Sequence, residues 1–254
     1  MRRIENIAPI GNLAIGFADT EEELKELQKL RYDQLVLCYD DHKAKNGIDA
    51  SEYDEFCDHL IVKDLTNNKI VGTYRVMTNK HLVYKDSFIT ETEFDITNLK
   101  NSGSNIVELS RAVVDDEYRN GAVIKLLWHG IFDYCEKNDI RYMFGTASFH
   151  GVDSEKYKNA FSHLHYNYIA DENVMCFAKE PSAKYQLLEK DKIDMNAYKE
   201  EMPSLIKGYL ALGSQVGKGV YIDYEFNSID VLMIFDLEKI NRKLAQRMFM
   251  GGVS

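Results

Sequence analysis

Short apolar runs and longer periodic segments alternate along the first third of the chain. The run from Leu13 to Phe17 is apolar and bounded by polar residues, which predicts a strand. Thr20 stands where a helix cap is expected, and leucines recur at helical spacing behind an acidic first turn, which predicts a helix over 21–40. Residues 59–65 and 70–77 are rich in β-branched side chains and flank a polar turn, so they predict a hairpin.

The rest of the chain continues this alternation after one interruption. Residues 79–104 show no clear period, which predicts an irregular excursion of the kind that often carries function. Strands are then predicted at 106–114, 142–147, 174–178, 220–226 and 231–235, and helices at 122–137, 153–167, 204–212 and 237–250. This order predicts an α/β fold with a mixed sheet covered by helices on both faces. Because no Pro-rich or Ser-rich linker interrupts the chain, we expect one domain over 1–254.

Composition narrows the functional classes. With 45% hydrophobic and 28% charged residues the chain is typical of a globular protein, and its net charge of −10 argues against nucleic acid as a partner. The four cysteines are scattered and show no zinc or disulfide spacing, which is typical of a reduced, cytoplasmic protein. No segment approaches the ~20 apolar residues that span a bilayer, so we expect at most peripheral contact with the inner face of a membrane.

The strand at 106–114 carries the densest polar signal. Alternation places Glu108 and Ser110 on one face and Leu109 and Arg111 on the other, unless a bulge intervenes. A carboxylate beside a hydroxyl can perform acid and base catalysis. The alternative is a structural carboxylate that is satisfied by Arg111.

The turn that follows this strand leads directly into a helix. Free backbone N–H groups and the positive end of the helix dipole meet there, and Arg119 and Gly121 suit a phosphate that approaches the backbone. The alternative is a plain turn in which Gly121 serves geometry only.

An acidic stretch precedes the hairpin, and Arg75 lies within its second strand. Arg75 either pairs with Asp54 or Asp58, or binds a substrate carboxylate with two hydrogen bonds. A structural ion pair is the simpler interpretation.

Three further signals are interpreted structurally. The spacing of His163 and His165 is not that of a helical metal site, so we predict no metal. The glycines at 213, 217 and 219 lack the ending of a phosphate loop and predict a turn. The basic amphipathic helix at 237–250 either docks on its own sheet or binds an acidic partner or anionic lipid.

Several motifs in a fixed order resemble a known family. They are EYDxxCDHLIV (52–62), VGTYR (71–75), ELSRAVV (108–114), YRxG (118–121), LLWHGI (126–131), FGxASFxGxD (144–153), LIKGYLxLG (205–213) and DxxFxxxDVL (223–232). Together they resemble the acyl-carrier-protein-dependent L-ornithine Nα-acyltransferases of the GNAT superfamily. The core is also similar to the acyl-homoserine-lactone synthases, but the motifs in 205–232 fit the ornithine family better.

The resemblance implies a fold and an activity. It implies a GNAT-like, mixed and mostly antiparallel sheet with a core at about 11–180 and a C-terminal helix and strand extension at about 181–254. It implies transfer of a fatty acyl chain, 3-hydroxylated in our prediction, from acyl carrier protein to the α-amine of ornithine, which gives lyso-ornithine lipid. Neither an acyl-enzyme nor a tightly bound cofactor is implied.

The resemblance also implies residue roles. Glu108 would take the proton of the amine, and Ser110 would orient the carbonyl or help the thiolate to leave. Substrate binding is predicted for Arg31, Asp54, Asp58, Arg75 and Arg111, and binding of the donor phosphopantetheine or its carrier for Arg119, Gly121, Ala122 and Lys125.

The turn at 119–124 keeps only part of the R/Q-x-x-G-x-G/A pattern of enzymes that use free coenzyme A, which favours a carrier-protein thioester over acyl-CoA. Three alternatives stay open: another acceptor such as glycine or lysine, an acyl-homoserine-lactone synthase, and a non-catalytic acyl-carrier or lipid-binding module.

Overall fold

Eleven strands and seven α-helices form the part of the chain that the computed structural model describes, residues 1–36, 47–180, 186–245 and 247. The strands are β1 (Arg2–Arg3), β2 (Leu13–Phe17), β3 (Asp58–Asp64), β4 (Lys69–Thr78), β5 (Phe94–Asp95), β6 (Asn105–Val114), β7 (Ile140–His150), β8 (Phe177–Ala178), β9 (Gln215–Val216), β10 (Tyr221–Asp223) and β11 (Ser228–Asp236). The α-helices are α1 (Glu21–Arg31), α2 (Thr97–Lys100), α3 (Ala122–Lys137), α4 (Lys158–Asn167), α5 (Met195–Glu201), α6 (Ser204–Leu212) and α7 (Arg242–Ala245).

These elements belong to two compact units. The first contains the described residues of Met1–Asp86, Val107–Ile140 and Arg242–Ser254. The second contains those of Ser87–Ile106 and Arg141–Asn241. Within the described residues, no helix is both long and apolar enough to cross a membrane.

The sheet of the first unit runs in the order β1, β2, β3, β4 and β6, with antiparallel neighbours. Ile61 of β3 belongs to a buried cluster with Leu27 and Leu30 of α1. The adjacent Leu60 lies against Gly130 of α3 instead. Because successive strand residues point to opposite faces, α1 and α3 cover the two faces of this sheet, as the sequence predicted.

The second unit has its own antiparallel pairing. Residues 228–236 of β11 pair with 142–150 of β7, and β11 also pairs with β10 and β9. All nine residues of β11 are buried, which explains its nearly continuous apolar sequence. The short strands β5 and β8 form a separate pair.

Local sequence signals correctly predicted several elements. The bounds of β2, α3 and α6 are those that the sequence predicts. Thr20 caps α1 by accepting a hydrogen bond from the backbone N–H of Glu23. Gly213 ends α6 with a φ of 98°, a left-handed conformation that glycine adopts without strain. The predicted mixed and mostly antiparallel α/β fold is confirmed.

Several predicted elements need correction. The helix predicted at 153–167 begins as a 3₁₀ turn, Ser154–Tyr157, and is α-helical only from Lys158, and the strand predicted at 220–226 is reduced to β10. The strand predicted at 174–178 is reduced to β8, because a 3₁₀ turn occupies Glu172–Val174. The excursion at 79–104 contains short helices and β5. The helix predicted over 21–40 ends at Arg31 and continues as a π-helical segment, Tyr32–Val36, and residues 37–40 lie outside the described residues.

The basic C-terminal helix also begins later than predicted. Residues 237–241 are not helical, and α7 starts at Arg242. Lys239 precedes it and lies 2.5 Å from a carboxylate oxygen of Asp171 and 3.7 Å from one of Asp236, so its charge is partly balanced. Most of the predicted helix beyond Ala245 lies outside the described residues.

Candidate active site

A β-bulge interrupts β6 at Arg111. Thr73 of β4 pairs with Val113 of β6. Two residues further along β4, Arg75 pairs with Ser110, three residues back along β6. β6 therefore holds one extra residue at this point, and Arg111 there has a φ of 53°, in the left-handed region that bulges use and non-glycine residues rarely adopt.

The bulge brings Ser110 and Arg111 to one group of charges. Arg75 donates from Nε to the hydroxyl oxygen of Ser110 at 3.0 Å. Arg111 donates from Nε to Asp49 at 2.9 Å, and Asp49 also lies 3.3 Å from Nε of Arg31. We call Arg31, Asp49, Asp54, Arg75 and Arg111 the arginine–aspartate cluster.

Asp54 is the centre of this cluster. Its carboxylate accepts from Arg31 at 2.5 Å, from Arg75 at 3.0 Å and from Gln28 at 2.9 Å, and only 4% of the residue is exposed. Burial alone would raise the pKa of Asp54, but the charges of Arg31 and Arg75 and the hydrogen bonds from Arg31 and Gln28 lower it to about 2. The carboxylate is therefore ionised at neutral pH and is held by two arginines and a neutral amide.

His59 holds the backbone segment that carries Asp54. Its Nε2 lies 2.9 Å from the backbone carbonyl of Asp54, which can only accept, so Nε2 carries the proton and donates. Burial lowers the pKa of His59 and keeps the imidazole neutral. His59 thus fixes the backbone that presents Asp54.

Glu108 is buried on the cluster side of β6. It pairs with Met77 of β4, and only 1% of the residue is exposed. Because alternation is undisturbed between 108 and 110, Glu108 shares a face with Ser110 and its partner Arg75. Burial raises the pKa of the Cys57 thiol to about 12; the charge of Glu108 adds to this rise, and the charge of Arg75 opposes it. Cys57 therefore lies beside Arg75 and Glu108.

Asp58 faces the other way. In β3 it pairs with Val76, whereas the next residue, His59, pairs with Arg75, so Asp58 points to the face that α3 covers. There it accepts a hydrogen bond from the hydroxyl of Tyr134 at 2.8 Å and lies 3.6 Å from Nε2 of His81. Asp54 and Asp58, predicted together, are therefore separated by the sheet.

The turn that the sequence predicts to bind the acyl donor lies at the start of α3 and is open. Gly121 has a φ of 93°, and nothing lies within 4 Å of the position that a Cβ would take. Arg119 donates to the Val114 carbonyl at 3.3 Å and to Gln34 at 2.6 Å. The backbone N–H of Ala122 donates to the side chain of Asn120 at 3.1 Å. The structure therefore places Arg119 and Ala122 beside an accessible helix N-terminus.

Sequence reasoning missed three members of the site. Asp49 bridges Arg31 and Arg111, Ser51 accepts from Arg75 at 2.6 Å, and Gln28 donates to Asp54. Gln28 is on α1, which the helical period predicts to be half-buried, and a buried glutamine calls for a partner. Asp49 and Ser51 lie outside any periodic element, so no pattern singled them out.

One acidic group lies in the second unit. Carboxylate oxygens of Glu93, Asp223 and Asp230 come within 4.8 Å of one another. Hydrogen bonds already engage two of these residues, since Asp223 accepts from two backbone N–H groups and Asp230 from Ser228. The absence of a metal remains a prediction from the sequence.

Together these residues provide a buried carboxylate, a hydroxyl and two arginines around the bulge of β6, with Arg75 contributed by the neighbouring strand β4. Because Arg75 donates to Ser110 Oγ, the hydroxyl proton of Ser110 is directed elsewhere and can be given to another acceptor. A guanidinium such as that of Arg111 can bind a carboxylate. This combination suits the attack of an amine on an activated carbonyl.

Comparison with known proteins identifies relatives over most of the chain. Residues 30–129 match the family model described as Acetyltransferase (GNAT) domain. The chain is 32% identical over 240 residues to the L-ornithine N(alpha)-acyltransferase of Rhodobacter capsulatus, covering 90% of this chain and 92% of that protein. It is 34% identical over 247 residues to the enzyme of the same name from Brucella abortus, covering 92% and 88%.

Solved structures share the fold at low identity. FeeM, an N-acyl amino acid synthase from uncultured soil microbes, matches with a TM-score of 0.52 and 8% identity over 89% of this chain and 92% of that one. The CoA-dependent acyl-homoserine lactone synthase BjaI matches with a TM-score of 0.52 and 14% identity over 92% and 85%. These similarities establish a GNAT-like fold.

Proposed function

Because the chain belongs to the L-ornithine N(alpha)-acyltransferase family, we propose that it joins a fatty acyl group to the α-amine of L-ornithine. The acyl chain, 3-hydroxylated in this proposal, arrives as a phosphopantetheine thioester on acyl carrier protein, and the product is lyso-ornithine lipid. The observation that carries the proposal is the bulge in β6, which aims Ser110 and Arg111 at one cluster on the face of Glu108.

The reaction is a direct acyl transfer. The neutral α-amine attacks the thioester carbonyl carbon, a C–N bond forms, and the C–S bond breaks as the thiolate leaves. Glu108 takes the proton that the amine loses, directly or through water. Ser110 either holds the carbonyl or gives its hydroxyl proton to the thiolate and regains a proton from Glu108, so that the proton of the amine ends on the leaving thiol. Backbone N–H groups at the bulge polarise the carbonyl. Burial of Glu108 in the site keeps the base out of bulk water.

The acceptor is held by charge. Arg111, which keeps 24% exposure, binds the carboxylate of the amino acid. Arg31, Asp54 and Arg75 are buried and act on the substrate through Arg111 and Ser110, whose positions they fix. Asp58 pairs with Val76 and Glu108 with the next residue, Met77, so both carboxylates lie at the same end of the sheet although they point to opposite faces. Because Asp58 is also 35% exposed, we assign it to the cationic side chain of an ornithine that reaches across this end.

The donor is held at the start of α3. In this proposal Arg119 and Lys125 bind the acidic carrier protein, and the backbone at Gly121 and Ala122 binds the phosphate of the phosphopantetheine. An exposed ionic contact of this kind makes the Michaelis constant of the donor rise with salt. Peripheral contact with a membrane belongs to the same proposal.

One assay tests the function and its alternatives together. The purified chain receives acyl carrier protein loaded with a 3-hydroxy fatty acid, or the matching acyl-CoA, and one of ornithine, lysine or glycine, and N-acyl products are measured by mass spectrometry. We expect N-acylornithine without added S-adenosylmethionine. If product forms only with glycine or only with lysine, that amino acid replaces ornithine as the acceptor. A requirement for S-adenosylmethionine identifies a homoserine-lactone synthase. If no acceptor gives a product, an enzymatic function is contradicted.

A further inference from the structure

An exposed apolar surface lies at the end of the sheet that carries Glu108. Val83 and Tyr84 are the two most exposed large hydrophobic residues of the described chain, at 79% and 69%. The ring of Tyr84 stacks on that of Phe56, with centroids 6.2 Å apart and an angle of 10° between the planes. We call Phe56, Val83 and Tyr84 the apolar rim.

The apolar rim adjoins the candidate catalytic group through both of its segments. Phe56 directly precedes Cys57, whose thiol feels the charges of Arg75 and Glu108. Val83 ends the 3₁₀ helix that follows β4, and the next-to-last residue of β4, Met77, pairs with Glu108. Phe56 is therefore one residue from a thiol that feels the charge of Glu108, and Val83 is six residues from the strand partner of Glu108.

Charges around the rim are balanced. Lys85 lies 2.7 Å from Glu52 and 4.9 Å from the centre of the Tyr53 ring, and Lys80 donates to Asn138 at 3.2 Å. Glu55 and Asp86 are exposed on the same segments. A surface without excess positive charge does not suit an anionic membrane or an acidic carrier protein. It suits an uncharged, apolar ligand.

We propose that the apolar rim binds the distal hydrocarbon of the acyl chain and sets the preference of the enzyme for long-chain donors. This inference rests on the proposed function, which supplies an acyl chain at Glu108. The exposed side chains of Val83 and Tyr84 lose contact with water when a hydrocarbon covers them, and each methylene that is buried contributes to binding. A short acyl group ends before the rim and gains nothing from it.

Donors of two lengths test the proposal. The double variant Val83→Ser with Tyr84→Ser removes the apolar surface and, because both side chains are exposed, leaves the fold intact. With ornithine and acyl carrier protein loaded with tetradecanoyl or butanoyl groups, we expect kcat/KM of the variant to fall about tenfold for tetradecanoyl and to stay unchanged for butanoyl. Tyr224→Ser, which removes a tyrosine of 67% exposure in the second unit, is the matched control and should change neither.

Two results overturn the proposal. An equal loss for both donors shows that the rim contacts the carrier protein, and no loss for either shows that it contacts no part of the donor. Direct binding of tetradecanoyl-pantetheine and acetyl-pantetheine by calorimetry separates this question from the reaction. If the wild type binds both but forms no N-acylornithine, the proposed function fails, while a selective loss of tetradecanoyl-pantetheine affinity in the variant still supports the rim.

Discussion

Two aspartates that are close in sequence occupy different environments on the two faces of the first unit's sheet. Asp54 is enclosed by Arg31 and Arg75, and its pKa is lowered to about 2. Asp58, four residues later, keeps 35% of its side chain exposed and accepts from the neutral hydroxyl of Tyr134. The charge of Asp54 is therefore buried among arginines, whereas the carboxylate of Asp58 keeps contact with solvent.

The difference distinguishes a charge that stabilises the fold, that of Asp54, from a charge that solvent can reach, that of Asp58. A buried carboxylate between two arginines is compensated in place, and removing it leaves uncompensated cations. A carboxylate that is about one third exposed and lies beside Tyr134 and His81, with no arginine paired to it among the described residues, is screened by water and can still attract a cation. We therefore expect variants on the first face to change stability or turnover strongly, and variants on the second to act mainly on substrate affinity.

Replacing Glu108 by glutamine is expected to have the largest effect. The amide keeps the size of the side chain but cannot accept a proton, so turnover should fall about a thousandfold, within the range for loss of a general base. The measurement is kcat at saturating donor and ornithine. Glu55→Gln makes the same chemical change at an exposed position two residues before Cys57 and should leave kcat unchanged. If kcat of Glu108→Gln stays within a few-fold of the wild-type value, Glu108 is not the general base.

Asp54→Asn is expected to have the next largest effect, on stability. Loss of the charge between Arg31 and Arg75 should lower the free energy of unfolding by about 3 kcal/mol, measured in urea at neutral pH. Because the pKa of Asp54 is lowered in the folded state to about 2, its stabilisation is fully present above the unfolded value near 3.8 and is lost as the pH falls toward 2. The difference between wild type and variant should therefore shrink between pH 4 and 2. A difference that is independent of pH would contradict the charge-based explanation.

Much of the fold was predictable because its signals are local. Helix α3 has an apolar face with the correct period and a glycine before its first turn, and the residues of β2 form an isolated apolar run. The π-helical segment after Arg31 was not predictable, because leucines at 35 and 37 continue the helical period. Strand β8 is shorter than predicted: the turn at Glu172–Val174 takes the first residue of the apolar run 174–178, and residues 175 and 176 are not in a strand.

The site was predictable in composition but not in arrangement. The residues of β6 that we singled out, Glu108, Ser110 and Arg111, lie together in the structure. Alternation separated Arg111 from Ser110, and the bulge that reunites them depends on pairing with β4, which is a tertiary interaction. Asp49 could not be identified, because its role arises from contacts with Arg31 and Arg111 that are distant in sequence.

Substitutions at Arg111 are expected to have effects between those at Asp54 and those at Asp58. Loss of the guanidinium should raise the KM of ornithine about tenfold in both Arg111→Gly and Arg111→Ala, because each removes the predicted carboxylate contact. The two should differ in stability: glycine adopts the φ of 53° without strain, whereas alanine retains a cost of about 1 kcal/mol. Kinetics and urea unfolding measure both quantities. An unchanged KM would assign Arg111 to the fold alone.

Asp58→Asn is expected to have the smallest effect on stability and to show what the second face does. The amide oxygen of asparagine can still accept from Tyr134, so the free energy of unfolding should change by less than about 1 kcal/mol. The attraction for a cationic side chain is lost, so the KM of ornithine should rise several-fold while kcat stays near the wild-type value, since this residue lies on the face opposite Glu108. An acceptor without a side-chain ammonium, such as glycine, should show no such rise if it is used at all. If Asp58→Asn instead destabilises the protein as much as Asp54→Asn, the two carboxylates share one structural role, and the cation that distinguishes ornithine must be recognised elsewhere.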